Sequence, residues 1–434
     1  MQQQQNKTAL VWFRNNLRVQ DNISLFKATN NCKKVVAVYF FDPKYFTKNN
    51  FGFEKTTKFR AKFLIESVTN LQINLAKLNI PLLTYFASPE DKIQNICAAF
   101  FVDTIFTQKE WTKEETDTTF LVKKNIDNNL KIIEDYDQFL YHPTTVTNNF
   151  ENIPNIFTVF RKKLEKKVKV TPQVSVTNAL EENCFENHTK IPTLQELGCN
   201  YFETDPNSAF PFSGGETNAL KRIDNYFFES KKISTYKQTR NYLLGPDYST
   251  KLSAWLANGS ISAKTIYWKT KEFENKFGAN DSTYWVIFEL LWRDYFKYIS
   301  LKHGSNIFKI GGILNKTYHW QNNKKIIQQW MNGETKDDFV NANMIELKET
   351  GFLSNRGRQN AASYFAKELL QDWRIGAAYF ESLLIDYDVH SNYGNWMYVA
   401  GVGNDPRDRK FNTKLQAQRY DANHEFRDLW LKNF

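Results

Sequence analysis

Thr8-Ala9-Leu10-Val11-Trp12-Phe13 is a short apolar run that ends at the polar turn Arg14-Asn15-Asn16. Runs of the same kind recur at Val35–Phe41, Leu82–Phe86 and Thr104–Thr107. Such runs suit strands buried on both faces of a parallel sheet. Between the second and third, Ala61, Leu64, Ile65, Val68, Leu71, Leu75 and Leu78 recur at helical spacing. Repeated strand–helix units predict a doubly wound α/β domain over residues 1–135.

Working outward, the pattern decays over residues 136–204. Pro143, Pro154, Pro172 and Pro192 fall there, with the basic run Arg161 to Lys169. The stretch reads as a long linker with some helix. Its basic run is either a solvated face or a source of non-specific attraction for DNA. After Gly214-Gly215 amphipathic helices begin, opened by Leu220, Ile223 and Phe227. The remainder, 205–434, reads as a nearly all-α domain. A chain of 434 residues also exceeds what one ordinary core accommodates.

Composition narrows the function. Lys and Arg number 57 against 47 acidic residues, a formal charge of +10 that favours polyanions and also serves solubility. The aromatic share, 16%, invites a search for stacking surfaces and redox-active rings. Cys32, Cys97, Cys184 and Cys199 form no C-x-x-C pair, and the histidines no H-E-x-x-H, so neither a disulfide framework nor a metal site is expected. The Gln-rich stub Met1 to Thr8 lacks the apolar region of a signal peptide. No apolar run has the length of a membrane span. A soluble, cytoplasmic protein is expected. G-x-G-x-x-G and G-x-x-x-x-G-K-[ST] are both absent, so any nucleotide cofactor is held in another way.

Three constellations could carry chemistry. Tyr248-Ser249-Thr250-Lys251-Leu252-Ser253 gathers hydroxyls and an ammonium that could meet a phosphate or cap a helix. Tyr236 and Arg240, one helical turn apart, could complete an anion cradle. In Phe288-Glu289-Leu290-Leu291-Trp292-Arg293, Glu289 and Arg293 share a helix face and read as an ion pair or as site residues. Trp292 could be core or could stack on a flat ligand. Asn355-Arg356-Gly357-Arg358-Gln359 precedes Asp386-Tyr387-Asp388-Val389-His390-Ser391-Asn392. Acidic groups beside Phe380, Leu383, Leu384 and Ile385 are costly unless paired, and Arg358 is a partner for Asp386.

Taken with Trp12-Phe13-Arg14, Leu17-Arg18, Asp21-Asn22, Asp372-Trp373-Arg374 and Gly401-Val402-Gly403-Asn404-Asp405-Pro406-Arg407-Asp408-Arg409, these segments resemble the photolyase/cryptochrome family, in particular its DASH branch. The likeness runs in order over nearly the whole chain. It implies an α/β antenna domain, a linker and a helical domain holding FAD. Tyr236 and Ser249, Thr250, Lys251, Leu252 and Ser253 would hold its phosphates, with Asn355 and Arg293 also toward the cofactor. Arg358 and Asp386 would pair beside the isoalloxazine, Asp388 would lie near the ribityl, and Asn392 would face flavin N5. Trp396, Trp373 and Trp320 match the family's electron-carrying chain. The implied reaction is blue-light repair of a cyclobutane pyrimidine dimer flipped from DNA, single-stranded or looped. Glu289 would hydrogen-bond the dimer as a neutral acid, between aromatic walls Trp292 and Tyr398, with Gln359 beside them. Arg240, Arg356, Arg407 and Arg409 would meet backbone phosphates. Glu110 would bind a second chromophore, methenyltetrahydrofolate.

Some positions depart from the family pattern. Asn16 stands where an acid is usual, so an N-terminal ion pair is expected to be missing. Phe352-Leu353 replaces Trp-Met. Ser354 stands where (6-4) photolyases use histidine chemistry, so (6-4) repair is not expected. The competing reading is a blue-light sensor. The stop at Phe434, soon after the family core and with no disordered extension to release, weighs against pure signalling; a monomer is expected. A DNA-binding flavoprotein with vestigial photochemistry is a third.

Overall fold

The computed structural model describes residues 5–148 and 150–432. Its first part is a parallel sheet of β1 (Gln5–Phe13), β2 (Cys32–Phe40), β3 (Leu82–Tyr85), β4 (Thr104–Gln108) and β5 (Lys131–Asp135), in the order β3-β2-β1-β4-β5. Side chains alternate between its faces. Ala9, Val11, Phe13, Val35 and Ala37 pack against Leu25 and Ala28 of the helix Ile23–Asn31 and Leu71 and Leu75 of the helix Lys58–Ala76. Leu10, Trp12, Val36 and Val38 pack on the other side, against Ile93 and Ile96 of the helix Pro89–Ala99 and Val122 of the helix Lys113–Asn125. Helices on both faces make this the doubly wound arrangement read from the apolar runs.

The strands differ from the sequence reading at both ends of the domain. β1 begins at Gln5, inside the polar stub, with a register shift against β2 between Gln5 and Thr8. Met1 to Gln4 lie outside the described residues, as does Phe434. β5 was not anticipated. It is a half-exposed edge strand, and charged Lys131, Glu134 and Asp135 leave only Ile132 and Ile133 as an apolar signal.

The connector is laid along the protein, not left as a free tether. Asn187 donates its amide to Leu82 O at 2.7 Å, and Thr84 N donates to Thr189 Oγ1 at 2.9 Å. Those bonds satisfy backbone groups of the β3 edge, which would otherwise be open to another strand. Farther along, the helix Phe157–Lys167 buries Phe157, Phe160 and Leu164 and leaves Lys162, Lys166 and Lys167 in solvent.

From Glu216 onward the described chain is helical apart from turns and loops. Buried charges join this part to the sheet domain and to the start of the connector. Arg18 donates to Gly259 O at 3.1 Å and to Asp137 Oδ2 at 2.8 Å. Asp294 accepts from the backbone of Leu140 and Tyr141. Glu216 accepts from Val19 N at 3.0 Å and Gln20 N at 2.8 Å. Gly259 has φ +71, and a Cβ there would come within 2.0 Å of Asn15 O, so the close approach of the two domains requires glycine. Asn16, where an ion pair was expected to be missing, is buried and accepts from Arg14 N at 2.9 Å. No described helix is long and apolar enough to cross a membrane.

Replacing Glu216 by alanine removes the acceptor of two part-buried backbone donors, Val19 N and Gln20 N. Glu216→Ala is expected to cost about 2–3 kcal/mol of stability, read by denaturant unfolding; an unchanged midpoint would show that the contact holds nothing.

Candidate functional site

The loop before Ser253 is shaped by one arginine. Arg222 donates to Pro246 O, Ser249 O and Thr250 O and pairs with Asp247 at 2.9 Å. With those carbonyls engaged, the side-chain hydroxyls of Ser249, Thr250 and Ser253 make no hydrogen bond among the described residues. Tyr236 is buried beside Arg240. Lys251 takes a left-handed backbone and turns inward. Its ammonium lies 3.2 Å from the Tyr248 ring centroid and 4.5 Å from that of Phe352, without a hydrogen-bond partner among the described residues. Burial holds the ammonium well below its usual range, and buried Glu346 nearby is pushed up to about 8 by desolvation. Leu252 is buried core.

The second segment gathers as its charges require. Arg358 donates to both oxygens of Asp386 at 2.8 Å, the pairing expected from an acid in an apolar helical stretch. Asp388 caps the helix Val389–Ala400 by accepting from Ser391 N and pairs with Lys297 at 2.8 Å. Asn392 spends its amide N–H on Ala377 O at 3.0 Å, so its amide oxygen is the free end. Asn355, Arg358, Gln359, Asp386, Asp388, Asn392 and Trp396 line one cavity. Buried Tyr248 Oη, Lys251 Nζ, Glu346 Oε2, Asn360 Oδ1 and Trp396 Nε1 lack hydrogen-bond partners among the described residues. A polar heterocycle bearing phosphates answers that set of acids, amides, hydroxyls and cations, so these residues fit FAD. Arg293 is placed differently: it donates to Gln138 O and Leu256 O and lines the interdomain cavity, where its charge acts on Asp388.

Trp396 is buried against Phe380, ring centroids 5.0 Å apart, and fits only because residue 376 is glycine. A Cβ there would sit 2.2 Å from Trp396 Cη2. Trp373 is buried and donates to Ile310 O. Trp320 is half-buried, donates to Ala366 O and lies 5.1 Å from Tyr318. Trp330, not singled out in the sequence, is buried with its ring 6.3 Å from Trp396.

Glu289 does not pair with Arg293, four residues on. Its Oε1 lies 2.7 Å from Arg240 Nη1, and its side chain remains 31% exposed. Burial leaves the carboxyl raised from its usual value, with the Arg240 guanidinium opposing the shift. Trp292 stacks on Phe157 of the connector at 3.6 Å and 14°, and meets Tyr398 edge-on at 5.9 Å. Phe157 carried no sequence signal beyond an apolar start to the basic run. Tyr398 accepts from Arg409, which also pairs with Asp405. Arg356 donates to Gln359 and Asn241. Arg407 is exposed, and among the described residues only its backbone N–H is bonded, to Asp405.

Where strand order reverses between β1 and β4, an open α/β sheet offers a crevice at the carboxyl ends of its strands. A cavity of about 730 Å³ opens there between the domains, lined by Trp12, Arg14, Gln108, Glu110, Gln138 and Lys297 among others. Glu110 is buried, accepts from Gln108 at 2.7 Å and Gln138 at 3.3 Å, and is raised by desolvation. Trp111 beside it stacks on His390 at 4.4 Å. Gln138 and Lys297 were not anticipated, since each becomes part of the cavity only through the domain packing. No cluster of metal ligands occurs among the described residues.

Comparison with known proteins agrees in both halves. A family model described as DNA photolyase matches residues 9–178, and one described as the FAD binding domain of DNA photolyase matches residues 285–434. The chain is 42% identical to the Cryptochrome DASH of Gloeobacter violaceus, over 98% of this chain and 85% of that protein. The Cryptochrome DASH of Xenopus laevis is also 42% identical, over 98% and 83%. The crystal structure of a Synechocystis cryptochrome superposes with a TM-score of 0.94 at 40% identity, covering 100% of this chain and 90% of that one. A class III photolyase of Agrobacterium tumefaciens superposes at 0.78 with 23% identity, over 99% and 87%, a likeness of fold alone. The chain therefore belongs to the photolyase/cryptochrome family of light-dependent flavoproteins, carries that family's FAD-binding domain, and is similar over nearly its whole length to the cryptochromes DASH.

Proposed function

We propose that this protein repairs cyclobutane pyrimidine dimers in single-stranded or looped DNA under blue light. The observation that carries the reading is the continuity of two groups. Gln359, from the expected lesion wall, lines the same cavity as Asn392 and Trp396, while Trp292 and Tyr398 meet edge-on nearby. When bound and reduced, FAD supplies the light-driven electron that opens the cyclobutane ring and takes it back afterwards.

The chain's own residues do the rest. The Ser249, Thr250 and Ser253 hydroxyls bind phosphate, and Arg358 with Asp386 orients the ring edge. Asn392 presents its amide oxygen, an acceptor suited to an N5 that carries a proton. Trp396, Trp373 and Trp320 form the route by which an electron reaches an oxidised flavin from the surface. Trp292 and Tyr398 wall the flipped dimer and exclude water. Arg240 exchanges Glu289 for a DNA phosphate, and burial then favours the protonated carboxyl as a donor to the dimer's added charge. Arg356, Arg407 and Arg409 position the strand through its phosphates. In the interdomain cavity, Glu110, with Gln108 and Gln138, accepts the donors of a folate pterin ring, which would serve as antenna.

Three outcomes test this. With photoreduced protein and a thymine dimer in a single-stranded oligonucleotide, Glu289→Ala is expected to slow repair about ten- to hundred-fold, and Glu289→Gln, which keeps a donor, by less. Equal rates in all three proteins would remove Glu289 from the reaction. Trp396→Phe is expected to abolish photoreduction of bound flavin, and Gly376→Ala to slow it by displacing Trp396, both followed by the loss of oxidised-flavin absorbance. Unaltered photoreduction in both would exclude Trp396 as the inner carrier. Glu110→Ala is expected to lose at least about ten-fold in affinity for added methenyltetrahydrofolate, read by its near-ultraviolet absorbance after gel filtration; full retention would place the folate elsewhere.

A further inference from the structure

Tyr318 lies two residues before Trp320, the outermost tryptophan of the electron route, and their rings meet at 5.1 Å between centroids and 37° between planes. Trp320 is half-buried and spends its indole N–H on Ala366 O at 3.2 Å. The Tyr318 hydroxyl donates to Asp408 Oδ2 at 2.8 Å, with Gly401 O farther off at 3.4 Å. That carboxylate is fixed from several sides. Asp408 holds a left-handed backbone, φ 48, and a Cβ on Gly401 would come within 1.9 Å of its Oδ1. Only glycine at 401 leaves the carboxylate its place. Lys367 pairs with Oδ1, leaving Oδ2 to the phenol. The ammonium groups of Lys367 and Lys316 lie 5.0 and 6.0 Å from the Tyr318 ring centroid.

A phenol held in this way can do what an isolated one cannot. An indole that has given up an electron is a strong oxidant. A phenol refills it readily only if the phenolic proton leaves at the same time, since an oxidised phenol that keeps its proton is a strong acid. The proton needs an ionised acceptor within hydrogen-bond reach. Desolvation works against the Asp408 carboxylate, but hydrogen bonds from Lys367 and Tyr318 outweigh it and hold the group below its usual range. Tyr318 is pushed up to about 12 by desolvation and by Asp408, so the proton stays on the phenol until an electron leaves.

Resting on the tryptophan route of the repair reading, we propose that Tyr318 is the terminal electron donor of that route and Asp408 its proton acceptor. The oxidant is the photoexcited, oxidised flavin, reached through the tryptophans. Tyr318 gives one electron to the oxidised Trp320 indole. Its O–H bond breaks and the proton passes to Asp408 Oδ2, leaving a neutral phenoxyl, a neutral carboxylic acid and a restored Trp320. A thiol in solution then returns a hydrogen atom to the half-buried phenoxyl, and Asp408 releases its proton to water. With the proton moved, the electron passed inward has no indole cation to fall back to.

The test uses the flavin-bound protein with its flavin oxidised, flashed with blue light and read by transient absorption and by electron paramagnetic resonance after rapid freezing. The unaltered protein is expected to show a tyrosyl radical. Tyr318→Phe is expected to leave the radical on tryptophan and shorten its life at least about ten-fold. Asp408→Asn, which keeps the size but takes no proton, is expected to slow phenoxyl formation about a hundred-fold. Neither residue lines the flavin cavity, so both variants keep the absorbance spectrum of bound flavin. Tyr201→Phe, at an exposed position of the connector, is expected to leave the tyrosyl signal as it is. A radical that stays on tryptophan in the unaltered protein, or a tyrosyl signal that survives Tyr318→Phe, would overturn the proposal and leave the tryptophan route standing. If the variants behave as expected while the unaltered protein repairs no dimer, the terminal donor stands and the repair reading fails.

Discussion

Lys297 and Asp388 lie 2.8 Å apart with side chains only 4% and 11% exposed, and the candidate site depends on that pair. Burial disfavours both charges; for Asp388 it is outweighed by Lys297, His390 and Arg293, which together hold its carboxyl far below the usual range. A pair taken out of water like this is weak as a source of stability but strict about geometry, because removing either partner leaves the other uncompensated. It ties the helix Asp281–His303, which carries Glu289 and Trp292, to the helix Val389–Ala400, which carries Asn392, Trp396 and Tyr398. The same helices approach so closely at Gly394 that a Cβ would meet Phe296 at 2.3 Å. Pocket walls and flavin-side amide are thereby held in one register.

Lys297 also lines the interdomain cavity, so the pair stands between two chambers. On one side is the crevice dictated by strand order, with Glu110. On the other are Arg358, Asp386 and Asn392. The cation that fixes the flavin-side helix thus also faces the chamber where a second chromophore is proposed. The antenna role proposed above needs a fixed separation between chromophores, and the buried charges Arg18 and Glu216 hold the two domains in one arrangement.

Local pattern made part of this legible. Buried strands declare themselves when both faces are apolar, as β1, β2 and β4 do; β5 does not, because an edge strand keeps charge at its ends. Asp386 and Arg358 could be paired from sequence because an acid in an apolar stretch demands a cation. Glu289 and Arg293 show the limit of that reasoning. Helical spacing made them neighbours, yet tertiary contacts gave Glu289 to Arg240 and Arg293 to the backbone carbonyls of Gln138 and Leu256. Phe157 against Trp292, and Lys297 against Asp388, join residues far apart in the chain, and no spacing rule reaches them. The roles proposed for Asn392 and the tryptophans rest on family resemblance, since no single amide or indole is distinctive.

The central claim is light-driven repair by this chain. It is tested most directly by illuminating the flavin-bound, photoreduced protein with one thymine dimer placed in a single strand and, separately, in a duplex. The account predicts recovery of thymine absorbance on the single strand under blue light, little on the duplex, and none in the dark. Absence of recovery on both substrates, with flavin bound and reduced throughout, would contradict it and favour a light sensor built on the same scaffold.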